Sequence, residues 1–166
     1  MLNSEVRKTL NKYLFCGELL TNKNSVCDVL CGRGMGAYCL APYFEEVVGV
    51  DISQQNIYWA KAHLRNEDLF YMCKQLNELS SIGTFEAAIL IDNDKKFGDI
   101  KTYIKCLNYV FEKNLINGGK LLFDYTTENR EELKNTFMVH YLEEYPEENL
   151  MVITKEFSNR LKGVHL

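Results

Sequence analysis

The residues best equipped for chemistry gather in one segment, Ser25-Val26-Cys27-Asp28-Val29-Leu30-Cys31-Gly32-Arg33-Gly34-Met35-Gly36, where an apolar run ends in closely spaced glycines. A strand that breaks into glycines and then opens a helix lets backbone N–H groups approach a ligand closely. Nineteen residues after Gly32, the run Val47-Val48-Gly49-Val50 ends in Asp51. A carboxylate at that strand end can accept both hydroxyls of an adenosine ribose. Together the two features point to a nucleoside-type ligand. The letters 32–37 also satisfy the dinucleotide pattern G-x-G-x-x-A, which keeps a nicotinamide cofactor open as an alternative. Groups able to take a proton from an acceptor lie further along: Asp92, Asp94, Asp124, Tyr125 and His140. His140 falls in an alternating segment and is expected to pack or face solvent; His63 and His165 are expected to be exposed.

These residues need strands to carry them. Between residues 25 and 124 short β-rich apolar runs alternate with stretches of helical period, which is the pattern of βαβ units and a mostly parallel sheet. Strands are expected at residues 26–30, 47–51, 69–73, 86–91 and 120–124. A helix at 53–65 puts Ile57, Ala60 and Leu64 on one face, with Ser53 as N-cap. Another at 99–115 does the same for Ile100, Ile104, Leu107 and Phe111, and Asn117-Gly118-Gly119 is expected to stop it. A helix at 3–20 precedes the first strand. Beyond Asp124 the pattern predicts a short polar helix at 128–135. Two strands then follow, within 137–145 and 150–157, joined by a turn at Pro146-Glu147-Glu148-Asn149. The expected fold is a Rossmann-like α/β three-layer sandwich. Its seven-stranded, mostly parallel sheet closes with an antiparallel C-terminal hairpin, in a single domain with a lead-in at 1–24, a core at 25–157 and a tail at 158–166.

At the glycine turn the chain resembles the class I S-adenosylmethionine-dependent methyltransferases, whose first motif reads D-x-G-x-G-x-G, often with Cys before the second glycine. Asp28, Cys31, Gly32 and Gly34 fill those places, while Leu30 stands where the family has its first glycine. The resemblance continues through Val47 to Ser53, through Thr84-Phe85-Glu86-Ala87-Ala88-Ile89-Leu90 and through Leu115-Ile116-Asn117-Gly118-Gly119-Lys120-Leu121-Leu122, and covers residues 26–157. It implies S-adenosylmethionine as cofactor. By that resemblance Asp28 and the backbone of Leu30, Cys31, Gly32, Arg33 and Gly34 hold the methionine end, Asp51 binds the ribose and Ile52 covers one adenine face. Gln75, followed by Leu76, stands where the family often has an Asp that accepts from the adenine amino group. Asp92 faces the reacting methyl group and is, with Tyr125, the candidate catalytic residue. The helix at 3–20 tends in this fold to lie over the donor, which makes Tyr13 and Phe15 candidates for the acceptor pocket. Leu30 leaves open a non-catalytic scaffold domain.

The run Asp92-Asn93-Asp94-Lys95 and the later Gly118-Gly119-Lys120-Leu121-Leu122-Phe123-Asp124-Tyr125 also look like the metal-dependent O-methyltransferases of the caffeoyl-coenzyme A type. There Asp92 and Asp124 would ligate a divalent metal, but Tyr125 replaces an Asn ligand, so no metal is the preferred expectation. Neither the Asn/Asp-Pro-Pro-aromatic motif of the nucleic-acid and glutamine amino-methylating enzymes nor a Pro-Cys nucleophile follows the fourth strand.

Composition narrows the partners. With 19 Lys+Arg against 23 Asp+Glu the net charge is −4, which argues against a nucleic-acid grip built on bulk positive charge. Residues 128–148 hold Glu128, Glu131, Glu132, Glu143, Glu144, Glu147 and Glu148 against Arg130 and Lys134, a distribution that repels phosphates. For the methyl transfer that the resemblance implies, O or N of a small-molecule acceptor is therefore expected, with no nucleic acid and no membrane partner. Short lid elements leave the pocket either open or completed by a second copy or another protein. No apolar run reaches membrane-spanning length, and the six cysteines, without a C-x-x-C pair, read as small buried hydrophobes in a reducing compartment. The expected location is cytoplasmic.

Overall fold

The computed structural model describes residues 3–91 and 97–156. Seven strands, β1 (Ser25–Val29), β2 (Glu46–Asp51), β3 (Leu69–Cys73), β4 (Phe85–Leu90), β5 (Leu115–Asp124), β6 (Tyr141–Tyr145) and β7 (Leu150–Thr154), form one sheet in the order β3-β2-β1-β4-β5-β7-β6. The first five are parallel; β7 runs antiparallel between β5 and β6. Among the described residues five helices flank the sheet: α1 (Ser4–Leu19), α2 (Met35–Leu40), α3 (Gln54–His63), α4 (Ile100–Asn114) and α5 (Arg130–Phe137). Among the described residues no helix is long and apolar enough to cross a membrane.

Alternate strand residues feed two cores, because successive side chains of a strand point to opposite faces. Val26, Val47, Ala87, Ile89, Leu122 and Val152 meet Tyr13 and Cys16 of α1, Leu20 just after it, and Ile57 and Ala60 of α3 on one face. On the other, Cys27, Val29, Val48, Ala88, Leu121 and Ile153 meet α4 and α5. Helix α4 buries Tyr103, Cys106, Leu107, Val110 and Phe111, and each such apolar side chain contributes about 1.5–3 kcal/mol. The buried stripe is turned from the one expected: Ile104 packs only at its margin, as does Ile100. Ser53 caps α3 as expected, its Oγ accepting from the Asn56 N–H at 3.3 Å. Cys16, Cys27, Cys31 and Cys106 are buried.

Three expectations are corrected. The glycines at 118 and 119 do not stop α4; the helix ends at Asn114, whose Nδ2 donates to the carbonyls of Leu79 (2.7 Å) and Gly83 (3.0 Å). The glycines instead lie inside β5 where its register with β4 shifts, with Gly118 at φ 79° and a Cβ on Gly119 only 2.9 Å from the Ile116 carbonyl. A bulge is what that backbone needs. Phe137 ends helix α5 instead of opening a strand, fully buried with its ring 5.3 Å from Phe123. His140 sits in the turn before β6, its ring 4.5 Å from Phe111. The turn at 146–149 joins the hairpin as expected, Asn149 taking the left-handed conformation (φ 52°) that Asn tolerates.

Candidate active site

The carboxyl edge of β1 and β2 carries the glycine turn. Leu30 (φ 58°), Gly32 (φ 57°) and Gly34 (φ 79°) all adopt left-handed backbone, so the chain folds back on itself before α2 begins. Three hydrogen bonds hold that shape: the Cys31 N–H donates to the Val50 carbonyl, the Gly34 N–H to the Cys31 carbonyl, and the Gly32 N–H to Asp51 Oδ2, each at 2.9 Å. The other Asp51 oxygen accepts from the Ser53 N–H at 2.9 Å and from Asn56 Nδ2 at 3.1 Å. The acidic strand end and the main chain of the turn are thus one hydrogen bond apart.

Two tyrosines prop the turn from beneath. Tyr71 donates its hydroxyl to the Gly34 carbonyl at 3.1 Å. A Cβ added at Gly34 or Gly49 would lie 2.4 or 2.8 Å from the Tyr71 ring, so both glycines exist to admit it. From α1, Tyr13 donates to Asp28 Oδ1 at 2.9 Å, and its ring fills the space where a Gly36 side chain would stand, 2.2 Å from that Cβ. Burial pushes both hydroxyls well up from their ordinary value, the Asp28 carboxylate adding to the effect on Tyr13. Proton release is disfavoured at both; they are supports. Tyr71 was not singled out in the sequence, since only the tertiary fold sets its ring against two glycines 37 and 22 residues away.

A cavity of about 580 Å³ opens above the turn between α1 and the sheet edge, lined by Lys12, Tyr13, Leu30, Cys31, Gly32 and Arg33 among others. Its size suits a small-molecule ligand. Four of the expected cofactor contacts, Leu30 to Arg33, therefore reach the cavity with Tyr13. Gly34 is buried against Tyr71. Asp28 is fully buried below the turn and does not line the cavity: Tyr13 lies on it, so its role is to fix the turn's base. Phe15 leaves the expected pocket too, its ring packing edge-on against Tyr145 at 5.3 Å. Ile52 is half exposed at the end of β2. Gln75 is exposed and opens the 3-10 segment Leu76–Ile82, its N–H donating to Glu78 Oε2 at 2.8 Å. Ile52, Gln75 and Leu76 share the sheet edge with the turn but lie outside the cavity wall. Arg33 reaches outward over the Trp59 ring, 5.5 Å from its centroid.

Asp124 and Tyr125 stand at the end of β5. Asp92, with Asp94, lies outside the described residues. Asp124 is buried, with its Oδ2 3.3 Å from Lys12 Nζ. Tyr125 is also buried, and burial together with neighbouring Glu144 pushes its hydroxyl up. Glu144 is itself held below the usual carboxylate range, chiefly by Arg130, which grips it with Nε at 2.5 Å and Nη2 at 2.9 Å. Tyr125 is thereby tied to a structural ion pair between α5 and β6 and is poorly disposed to act as a base. Among the described residues no group of three His, Cys, Asp or Glu side chains is gathered to hold a metal ion.

Residues 27–108, from the glycine turn into α4, match the family model described as a methyltransferase domain. That family model and the structural neighbours are class I S-adenosylmethionine-dependent methyltransferases. Solved structures agree on the methyltransferase fold. The N-methyltransferase NodS from Bradyrhizobium japonicum WM9, in complex with S-adenosyl-L-homocysteine, is 15% identical. It superposes with a TM-score of 0.68 over 92% of this chain and 87% of that one. An rRNA methylase from Streptococcus thermophilus is 18% identical, with a TM-score of 0.61 over 95% and 99% of the two chains. An O-methyltransferase family protein from Burkholderia thailandensis is 13% identical, with a TM-score of 0.69 over 93% and 57%. No curated protein matches the sequence. S-adenosylmethionine is accordingly the methyltransferase's donor, and its site fits: left-handed main chain at 32 and 34, a cavity above it, and a carboxylate directly behind.

Proposed function

We propose that this methyltransferase transfers the donor's methyl group to O or N of a small-molecule acceptor. The observation that supports the reading is the 2.9 Å bond from the Gly32 N–H to Asp51, which brings a carboxylate of the kind that binds a ribose beside the glycine turn at the edge of adjacent parallel strands. In this reading the backbone of Leu30 to Gly34 receives the methionine end and Asp51 the ribose diol. Asn56, whose amide reaches Asp51 from α3, is the partner that the ribose hydroxyls exchange with. Ile52 supplies apolar surface for the adenine, and Gln75 can accept from its amino group.

Bound donor supplies an electrophilic methyl group on a sulfonium. Displacement at that carbon is in-line, so the protein's work is placement and exclusion of water. Tyr13 and Tyr71 hold the turn rigid, while α1 roofs the cavity. Two cavities of small-molecule size, together with the net negative charge, support a small acceptor over a nucleic acid.

Titration calorimetry with S-adenosyl-L-homocysteine tests the reading. The wild-type chain should bind in the micromolar range, and Asp51→Ala should weaken binding at least about tenfold, the loss expected for hydrogen bonds to a charged group. No binding at millimolar ligand would favour the scaffold alternative.

A further inference from the structure

The donor cavity has a neighbour. Beyond the end of β5 a second cavity, about 470 Å³, is lined by Phe97, Ile100, Tyr103, Asp124, Tyr125 and Glu128 among others. Lys12 belongs to the lining of the first cavity and Asp124 to that of the second, and their side chains meet at 3.3 Å with only 16% and 10% of their surfaces exposed. This ion pair stands where the two walls join. The Tyr103 hydroxyl fixes the acidic partner from the second cavity, donating to the Asp124 carbonyl at 2.9 Å and lying 3.4 Å from Oδ1.

A carboxylate so buried calls for a cation, and among the described residues Lys12 brings one to it on a long, flexible side chain from another element. Lysine's ammonium is also the simplest member of a chemical class. The rings of Phe97 and Tyr103, with centroids 5.2 Å apart, share the second cavity's lining with the same carboxylate. Aromatic rings beside an acid favour an organic cation. An anionic acceptor would meet Asp99, Asp124 and Glu128 in that lining, and a neutral alcohol would gain nothing from displacing Lys12.

We infer that the second cavity takes the acceptor as an amine, whose ammonium group replaces Lys12 on Asp124. Lys12 is then an internal stand-in that occupies the ammonium position on the carboxylate until the acceptor arrives, and Asp124 and Tyr103 orient the nitrogen toward the donor cavity. The inference rests on the methyl-transfer reading and narrows it from O or N to N. The step balances. The bound ammonium releases one proton to Asp124 or to solvent. The freed nitrogen lone pair forms the new N–C bond as the S–C bond breaks, and that electron pair returns to sulfur. The products are a methylated ammonium and a neutral thioether.

The test uses 2-phenylethylamine and its neutral counterpart 2-phenylethanol as probes, titrated by calorimetry into the full chain with S-adenosyl-L-homocysteine present, and mass spectrometry of the amine after incubation with S-adenosylmethionine. The amine should bind roughly tenfold or more tightly than the alcohol, as a charge-assisted contact requires. Asp124→Asn should erase that preference. Lys12→Met should strengthen amine binding severalfold and leave alcohol binding unchanged, because it removes the internal competitor. Equal binding of the two probes to the Lys12→Met variant, no measurable amine binding to it at millimolar concentration, or an amine preference that survives Asp124→Asn would each overturn the inference. If the homocysteine product itself fails to bind, the donor reading falls, while the amine preference, measured without it, still decides the identity of the Asp124 partner.

Discussion

Leucine at position 30 provides a test of the turn on which the site depends. Its backbone lies at φ 58°, where a side chain costs about 1–2 kcal/mol that glycine avoids. Yet the side chain is buried and packs in the core cluster against α4, and removing such a leucine costs about 2–5 kcal/mol. Burial outweighs strain, so both Leu30→Ala and Leu30→Gly should destabilise the fold. The order of the two is the informative part. Elsewhere glycine is less stable than alanine by about 0.5–1 kcal/mol because it loses more backbone freedom. At residue 30 alanine keeps the left-handed strain while glycine sheds it, so Leu30→Gly should be the more stable of the pair by up to about 1 kcal/mol. Urea unfolding of the two variants measures this, and thermal unfolding should separate their midpoints by up to about 2–4 °C. A glycine variant clearly less stable than the alanine variant would mean that residue 30 is not left-handed. With it would go the account of how a chain lacking the motif's first glycine still builds the turn. Calorimetry on the same proteins should show donor-product affinity kept in Leu30→Gly.

Other perturbations probe the supports. Gly34→Ala should cost more than about 2 kcal/mol and reduce donor-product binding, because the added Cβ lies 2.4 Å from the Tyr71 ring at a backbone angle of 79°; a variant as stable as wild type in urea would contradict the packing. Tyr13→Phe should cost about 1–3 kcal/mol by taking the hydroxyl from fully buried Asp28, read from the urea midpoint at constant slope. Buried Cys16, Cys27, Tyr13 and Tyr71 all have values raised above their ordinary 9.0 and 10.0, chiefly by burial. The unfolded chain therefore releases these protons first, and stability that is complete below about pH 9 should fall as pH rises beyond it. A flat denaturation midpoint between pH 8 and 11 would refute that accounting. Asn114→Leu strands the Leu79 and Gly83 carbonyls and should destabilise by about 1–3 kcal/mol per buried carbonyl left unpaired; Asn114→Asp, unable to donate when ionised, should fare no better in the same assay.

Period and punctuation along the chain determined the five parallel strands, the closing hairpin and the glycine turn with Asp51 behind it, because these follow from local rules: alternation, helical spacing and the backbone freedom of glycine. Tertiary structure alone decided which side chains each element's geometry brings together. Nothing in the order of residues 13, 28 and 36 says that one tyrosine would both cap the acid and fill the space left by the glycine. Nor could local pattern distinguish a glycine pair that ends a helix from one that bulges a strand, since both need the same left-handed backbone at Gly118. Asp124 reads in sequence as a carboxylate at a strand end. Only the fold delivers Lys12, 112 residues away, to its side, because an ion pair between distant segments is set by how helices and strands pack and leaves no periodic trace in either one.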